Sequence, residues 1–129
     1  MYLEDDSRHQ LEAKDSFVRS GLTKTADLLV FGDFIALEEE MQKRPPDILI
    51  LDNDLSSIQE NGSTRGVDLI LKYRKALPDT VIAQRTSFMS DRDTKRALAE
   101  GALEIFSKND SLSDIVKYCF IFMKERNPS

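Results

Sequence analysis

Ile48 to Leu51 are four consecutive aliphatic residues that follow the Pro45-Pro46 break and end on a carboxylate, Asp52. A short apolar run opened by such a break predicts a strand buried on both faces, as in a parallel sheet covered by helices. Asp52 then stands at the strand's carboxyl end, the edge of an open α/β sheet where ligands bind. An acid there serves as nucleophile, metal ligand or cap of the following loop, and the strand by itself does not choose among them.

The flanking segments alternate in type. Met1–Leu3 is a strand stub, followed by the acids Glu4, Asp5 and Asp6. Ser7–Ser20 reads as a helix with Leu11, Phe17 and Val18 as its inner stripe and Gly21 as its stop signal. The single histidine, His9, has no metal-binding neighbours and reads as a surface residue. Ala26–Phe31 is a second strand, and Phe34–Lys43 a helix with Phe34, Leu37 and Met41 on one face. Beyond the central strand, Ser56–Arg65 is polar and reads as a surface loop. Val67–Ala76 is a helix with Val67, Ile70, Leu71 and Arg74 on successive turns. Thr80–Ala83 is strand four, followed by Gln84, Arg85, Thr86 and Ser87. A charged helix spans Asp91–Glu100, Leu103–Phe106 is strand five, and a last helix runs from a cap at Ser111 to about Arg126. Strict alternation with short connections and right-handed crossovers predicts a doubly wound, five-stranded parallel sheet with helices on both faces, in the flavodoxin-like order 2-1-3-4-5.

Composition narrows the class. With 129 residues the chain reads as one domain, 1–129. A net charge of −5 argues against direct nucleic-acid binding. The single cysteine, Cys119, allows no internal disulfide. No apolar run reaches the ~18 residues of a membrane span and no signal-peptide pattern opens the chain, so a cytoplasmic protein is expected.

In the predicted topology Glu4, Asp5, Asp52, Thr86 and Lys108 share one crevice. Carboxylates at close range repel and favour a hard cation, hence Mg²⁺. Lys108 can pair with a carboxylate or a phosphoryl oxygen, and Thr86 offers a hydroxyl. A carboxylate such as Asp52 can attack a phosphoryl group to give an acyl phosphate.

These residues carry a resemblance. The Glu4–Asp6 acids, the PDILILD run ending at Asp52, the Thr86-Ser87 pair and the GALEIFSK stretch of Gly101–Lys108 resemble, in order, the response-regulator receiver domains of two-component signalling. The resemblance implies a phosphoacceptor on Asp52 served by a histidine kinase or phosphotransfer protein. It implies Mg²⁺ held by Glu4 or Asp5, by Asp52 and by the main-chain carbonyl of Asp54. Thr86 would be the switch hydroxyl and Lys108 the phosphate-pairing lysine, in a signalling module without turnover. The chain departs from the family pattern at Asn109, where proline usually follows the lysine, at Ile105 in place of an aromatic, and in a long Asp52–Gly66 loop. Two other readings compete. One is a docking module of the same fold that no longer uses phosphorylation. The other is a phosphatase using the DxD spacing of Asp52 and Asp54, although such enzymes carry that motif on their first strand. A Toprim-like use of Glu4 with the DxD leaves Thr86 and Lys108 without a role.

The last helix carries surplus apolar character. Tyr118–Met123 is apolar at six consecutive positions. Leu112, Ile115 or Val116, Cys119 and Met123 suffice for a core stripe, which leaves Tyr118 and Ile121 for a homodimer or docked partner.

Overall fold

A computed structural model of the chain describes residues 1–59 and 63–126, with the backbone alone from 54 to 59 and from 63 to 65. Strands β1 (Tyr2–Leu3), β2 (Val30–Phe31), β3 (Ile48–Asp52), β6 (Val81–Thr86) and β7 (Ile105–Ser107) form a five-stranded parallel sheet in the order β2-β1-β3-β6-β7. Counted along this sheet the order is 2-1-3-4-5, as the alternation of segments predicts.

Alternation along the strands divides the core. Leu3, Leu49, Leu51 and Ile82 pack with helices α2 (Phe34–Lys43), α3 (Gly66–Ala76) and α4 (Asp91–Ala99). Tyr2, Ile48, Ile50, Val81 and Ala83 pack with α1 (Ser7–Arg19) and α5 (Leu112–Arg126) on the opposite face. All five residues of β3 are buried, because it pairs with β1 and β6 and is covered on both sides.

Helix ends follow local chemistry. Asp6, Asp33 and Ser90 cap α1, α2 and α4 by accepting from the N–H groups of Arg8, Ala36 and Asp93. Ser111 accepts from the Asp114 N–H at 3.2 Å at the start of α5. Gly21 stops α1 at φ +81°, a conformation that glycine adopts without strain.

Four expectations are corrected. On α1, Phe17 and Ala13 are buried while Leu11 and Val18 are exposed. Residues seven apart share a face, and the face that Phe17 sets includes Ala13 four residues earlier rather than Leu11 or Val18. On α3 it is Leu69 and Tyr73 that join Val67 and Ile70 inside, while Leu71 faces solvent. Residues 54–59 and 63–65 are not loop: β4 (Asp54–Gln59) and β5 (Ser63–Arg65) form a separate antiparallel pair. Finally, β6 does not end at Ala83. It continues through Gln84, Arg85 and Thr86, all buried, because β3 pairs with it as far as Arg85 and β7 as far as Thr86. Among the described residues no helix is long and apolar enough to cross a membrane.

Candidate functional site

The carboxyl ends of β1, β3, β6 and β7 meet at one edge of the sheet. Glu4 follows β1 directly, and its N–H donates to the Phe31 carbonyl of β2 at 3.0 Å, so its place is set by the sheet. Gln10 of α1 donates through Nε2 to the Glu4 carbonyl at 2.5 Å. Asp52 is the last residue of β3, opposite Arg85 of β6. Lys108 follows β7, and its N–H donates to the Thr86 carbonyl at 2.9 Å.

This framework brings Glu4, Asp5 and Asp52 together, with one carboxylate oxygen from each within 4.8 Å of the others. Glu4 and Asp52 are buried, at 0% and 2% exposure, while Asp5 is half-buried. The Lys108 ammonium is seated among them. It donates to Glu4 Oε1 and stands 3.2 Å from Asp52 Oδ2. The Tyr2 hydroxyl donates to the same Glu4 oxygen at 2.9 Å. Burial pushes the Glu4 carboxyl up, but hydrogen bonding with Asp52, Lys108 and Tyr2 and the lysine's charge outweigh it and hold the group below its usual range. Burial, with Glu4 adding to it, pushes the Tyr2 phenol well up, so it stays a donor.

Three hard oxygen donors converging this closely, with two of them buried, fit a Mg²⁺ ion, which takes a few carboxylates and keeps part of its water shell. Asp54 begins β4, its backbone paired with Arg65; its carboxylate lies outside the described residues.

Thr86 closes β6 at the same edge. Its hydroxyl donates to the Phe88 carbonyl at 2.9 Å and also accepts from the Phe88 N–H at 3.3 Å. The Phe88 side chain is 80% exposed. Ile105 is half-buried in β7 opposite Gln84, and the Lys108–Asn109 bond is trans, like every peptide bond among the described residues. At the entrance to α3, Gly66 allows the chain to pass against Asp52: a Cβ there would fall 2.2 Å from the Asp52 carbonyl oxygen. The Gly66 N–H donates to the Asn53 carbonyl at 3.2 Å, and the Val67 N–H to Asn53 Oδ1 at 3.1 Å.

Sequence reasoning passed over two residues of this edge, Tyr2 and Arg85. Tyr2 was hidden in a two-residue strand. Arg85 follows the polar Gln84 directly after the apolar run, and its burial emerges only with the pairing of β6.

No protein-family model and no curated protein sequence matches the chain. Solved structures do. A CheY-like receiver domain protein from Methanospirillum hungatei superposes with a TM-score of 0.76 at 14% identity, over 96% of this chain and 91% of that one. The beryllofluoride-activated NtrC4 receiver domain dimer gives 0.75 at 17% identity, over 98% and 96%. NtrX from Brucella abortus gives 0.75 at 12% identity over 96% of this chain, which spans only 26% of that longer protein. Across these distant sequences the architecture is shared from end to end: this chain has the fold of a response-regulator receiver domain.

Proposed function

We propose that residues 1–129 work as one receiver domain that takes a phosphoryl group on Asp52 from a phosphohistidine of a histidine kinase or phosphotransfer protein, or from a small acyl phosphate. The observation that carries this reading is the seat of the Lys108 ammonium between the buried carboxylates of Glu4 and Asp52. A lysine placed there already lies within reach of the oxygens that Asp52 would acquire.

An Asp52 Oδ attacks phosphorus, the donor's bond to phosphorus breaks with its electron pair leaving on the donor, and an acyl phosphate remains. Lys108 moves a short way from carboxylate to phosphoryl oxygen. Glu4, Asp5, Asp52 and the Asp54 main-chain carbonyl would hold Mg²⁺, which supplies charge neutralisation of the phosphoryl oxygens when bound. The Thr86 hydroxyl leaves the Phe88 carbonyl and donates to the phosphoryl group, and this exchange biases an existing equilibrium between two arrangements of the β6–α4 connection.

The output face runs over α4, β7 and α5. Tyr118 and Ile121 are 46% and 60% exposed there, and the Tyr118 ring meets Phe106 of β7 edge-on at 5.4 Å. This face takes a second copy or a docked partner, as the dimeric NtrC4 receiver supports by likeness of fold. The setting is cytoplasmic and the chemistry is signalling without turnover.

Intact mass spectrometry after incubation with acetyl phosphate and Mg²⁺ tests the reading. One phosphoryl group is expected on the wild type and none on Asp52→Ala. Uptake that persists in the variant places the chemistry elsewhere. No uptake by the wild type leaves a docking module, and continuous phosphate release indicates a phosphatase.

A further inference from the structure

Arg85 heads the large side chains that solvent does not reach, at 1% exposure, and the reaction just described gives it no task. A buried cation is costly unless it is paired and hydrogen-bonded. The carboxylate recorded near it, Glu12 Oε1, lies 3.7 Å from Nη2 on a side chain 57% exposed, which is a weak partner. The guanidinium is instead committed to neutral oxygens. Nη1 donates to the Tyr2 hydroxyl at 3.2 Å, and Nη2 donates to the carbonyls of Lys108 at 3.3 Å and Asp110 at 2.9 Å. Its Cζ stands 5.9 Å from the Tyr2 ring centroid, and its Nε is buried with no hydrogen-bond partner. For packing alone, a methionine would fill much of this space without desolvating a charge.

The two carbonyls flank Asn109, so a single nitrogen, Nη2, spans the turn between β7 and α5. Lys108 is thereby fixed at three points. Its N–H is on Thr86, its carbonyl on Arg85, and its ammonium among the acids. A lysine side chain is a flexible four-carbon stem. With its main chain free, the ammonium would sample positions away from Asp52, and ordering it would fall on the transition state.

We propose that Arg85 is a positioning residue for phosphoryl transfer: its guanidinium clamps the carbonyls of Lys108 and Asp110 and so aims the Lys108 ammonium at Asp52. The inference rests on the reading of Asp52 as phosphoacceptor, and its test has one arm that does not.

Arg85→Met and Arg85→Lys are compared with the wild-type chain, with cooperative urea unfolding as the check on folding. The first arm is the maximal rate of phosphoryl uptake from acetyl phosphate, together with the Mg²⁺ concentration giving half that rate. The second is the rate of reductive methylation of Lys108 without metal, read by peptide mass spectrometry. Arg85→Met is expected to lower the maximal rate about tenfold, to leave the half-saturating Mg²⁺ within about twofold, and to speed Lys108 methylation about tenfold. Arg85→Lys, which can hold one carbonyl, recovers part of both, a rescue that a purely space-filling role would not produce. A folded Arg85→Met with wild-type uptake and wild-type methylation overturns the proposal. If that variant does not fold, Arg85→Lys decides: unchanged uptake and methylation overturn it, while slower uptake with faster methylation supports it. A wild type that takes up no phosphoryl group, with Lys108 methylation still faster in the variants, refutes the role of Asp52 and retains the clamp.

Discussion

Gly66 passes so close to Asp52 that any side chain on it would collide with the main-chain carbonyl of the acid, 2.2 Å from where a Cβ would stand. The obstacle is backbone, which cannot swing aside as a side-chain tip can. Gly66→Ala should therefore destabilise the chain by about 1–3 kcal/mol despite alanine's better helix propensity. Urea unfolding measures this, and a variant as stable as the wild type would show that α3 slides without loss. The shift also displaces Asp52, so phosphoryl uptake should slow more than stability alone accounts for.

Lys108 pairs with two buried carboxylates, and its removal should weaken the pH response of Glu4. In the wild type the Glu4 carboxyl is lowered from its ordinary 4.5, despite a burial effect that acts upward. A group lowered on folding stabilises the native state fully above its unfolded value and loses that contribution as pH falls through the folded value. In Lys108→Met the burial effect remains without the lysine. The carboxyl is then lowered less than in the wild type, because only the hydrogen bonds with Asp52 and Tyr2 still oppose burial, so the variant loses less stability on acidification. Melting temperatures in EDTA between about pH 7 and pH 4 should show the gap between variant and wild type closing as pH falls. A gap that widens on acidification contradicts this account.

Cys119 is fully buried in α5, and burial pushes its thiol up to about 11. Near neutral pH the native thiol is both protonated and out of reach. Reaction with a disulfide reagent at about pH 8 should follow the rate of opening of the fold and accelerate with urea in step with unfolding. Fast reaction in native buffer would mean that α5 opens by itself.

Ile121, at 60% exposure, is available for substitution without loss of the core. Ile121→Glu should unfold within about 0.5 kcal/mol of the wild type. In sedimentation with beryllofluoride and Mg²⁺ the wild type is expected to associate and the variant to remain monomeric. Monomers in every condition would rule out self-association through this helix.

The legible parts of the fold were those in which short-range chemistry and packing agree. Asp33 and the Pro45-Pro46 pair bracket α2, and its bounds and inward face were readable to the residue. The core stripe of α5 was readable because Leu112, Ile115, Val116 and Cys119 repeat at helical spacing. On α1 the pattern misled, since small Ala13 carries the contact while larger Leu11 and Val18 face water. The antiparallel pair of β4 and β5 was passed over because its residues are mostly polar. For the site, topology placed Glu4, Asp5, Asp52 and Lys108 at one edge. Arg85 escaped notice because a charged residue inside a buried strand contradicts the pattern by which strands are recognised.

The crowding of acids around Lys108 has a kinetic consequence. Glu4, Asp5 and Asp52 outnumber the lysine at this edge, and the chain as a whole carries a net charge of −5. A small anionic phosphodonor thus approaches uphill through a repulsive field that reaches about a Debye length, ~10 Å at 0.1 M salt. Inert salt shortens that reach, so encounter with such a donor quickens as ionic strength rises. A protein donor with a basic rim meets the opposite field and is slowed by the same salt, so the sign of the salt effect separates adventitious phosphorylation from delivery by a partner built for this surface.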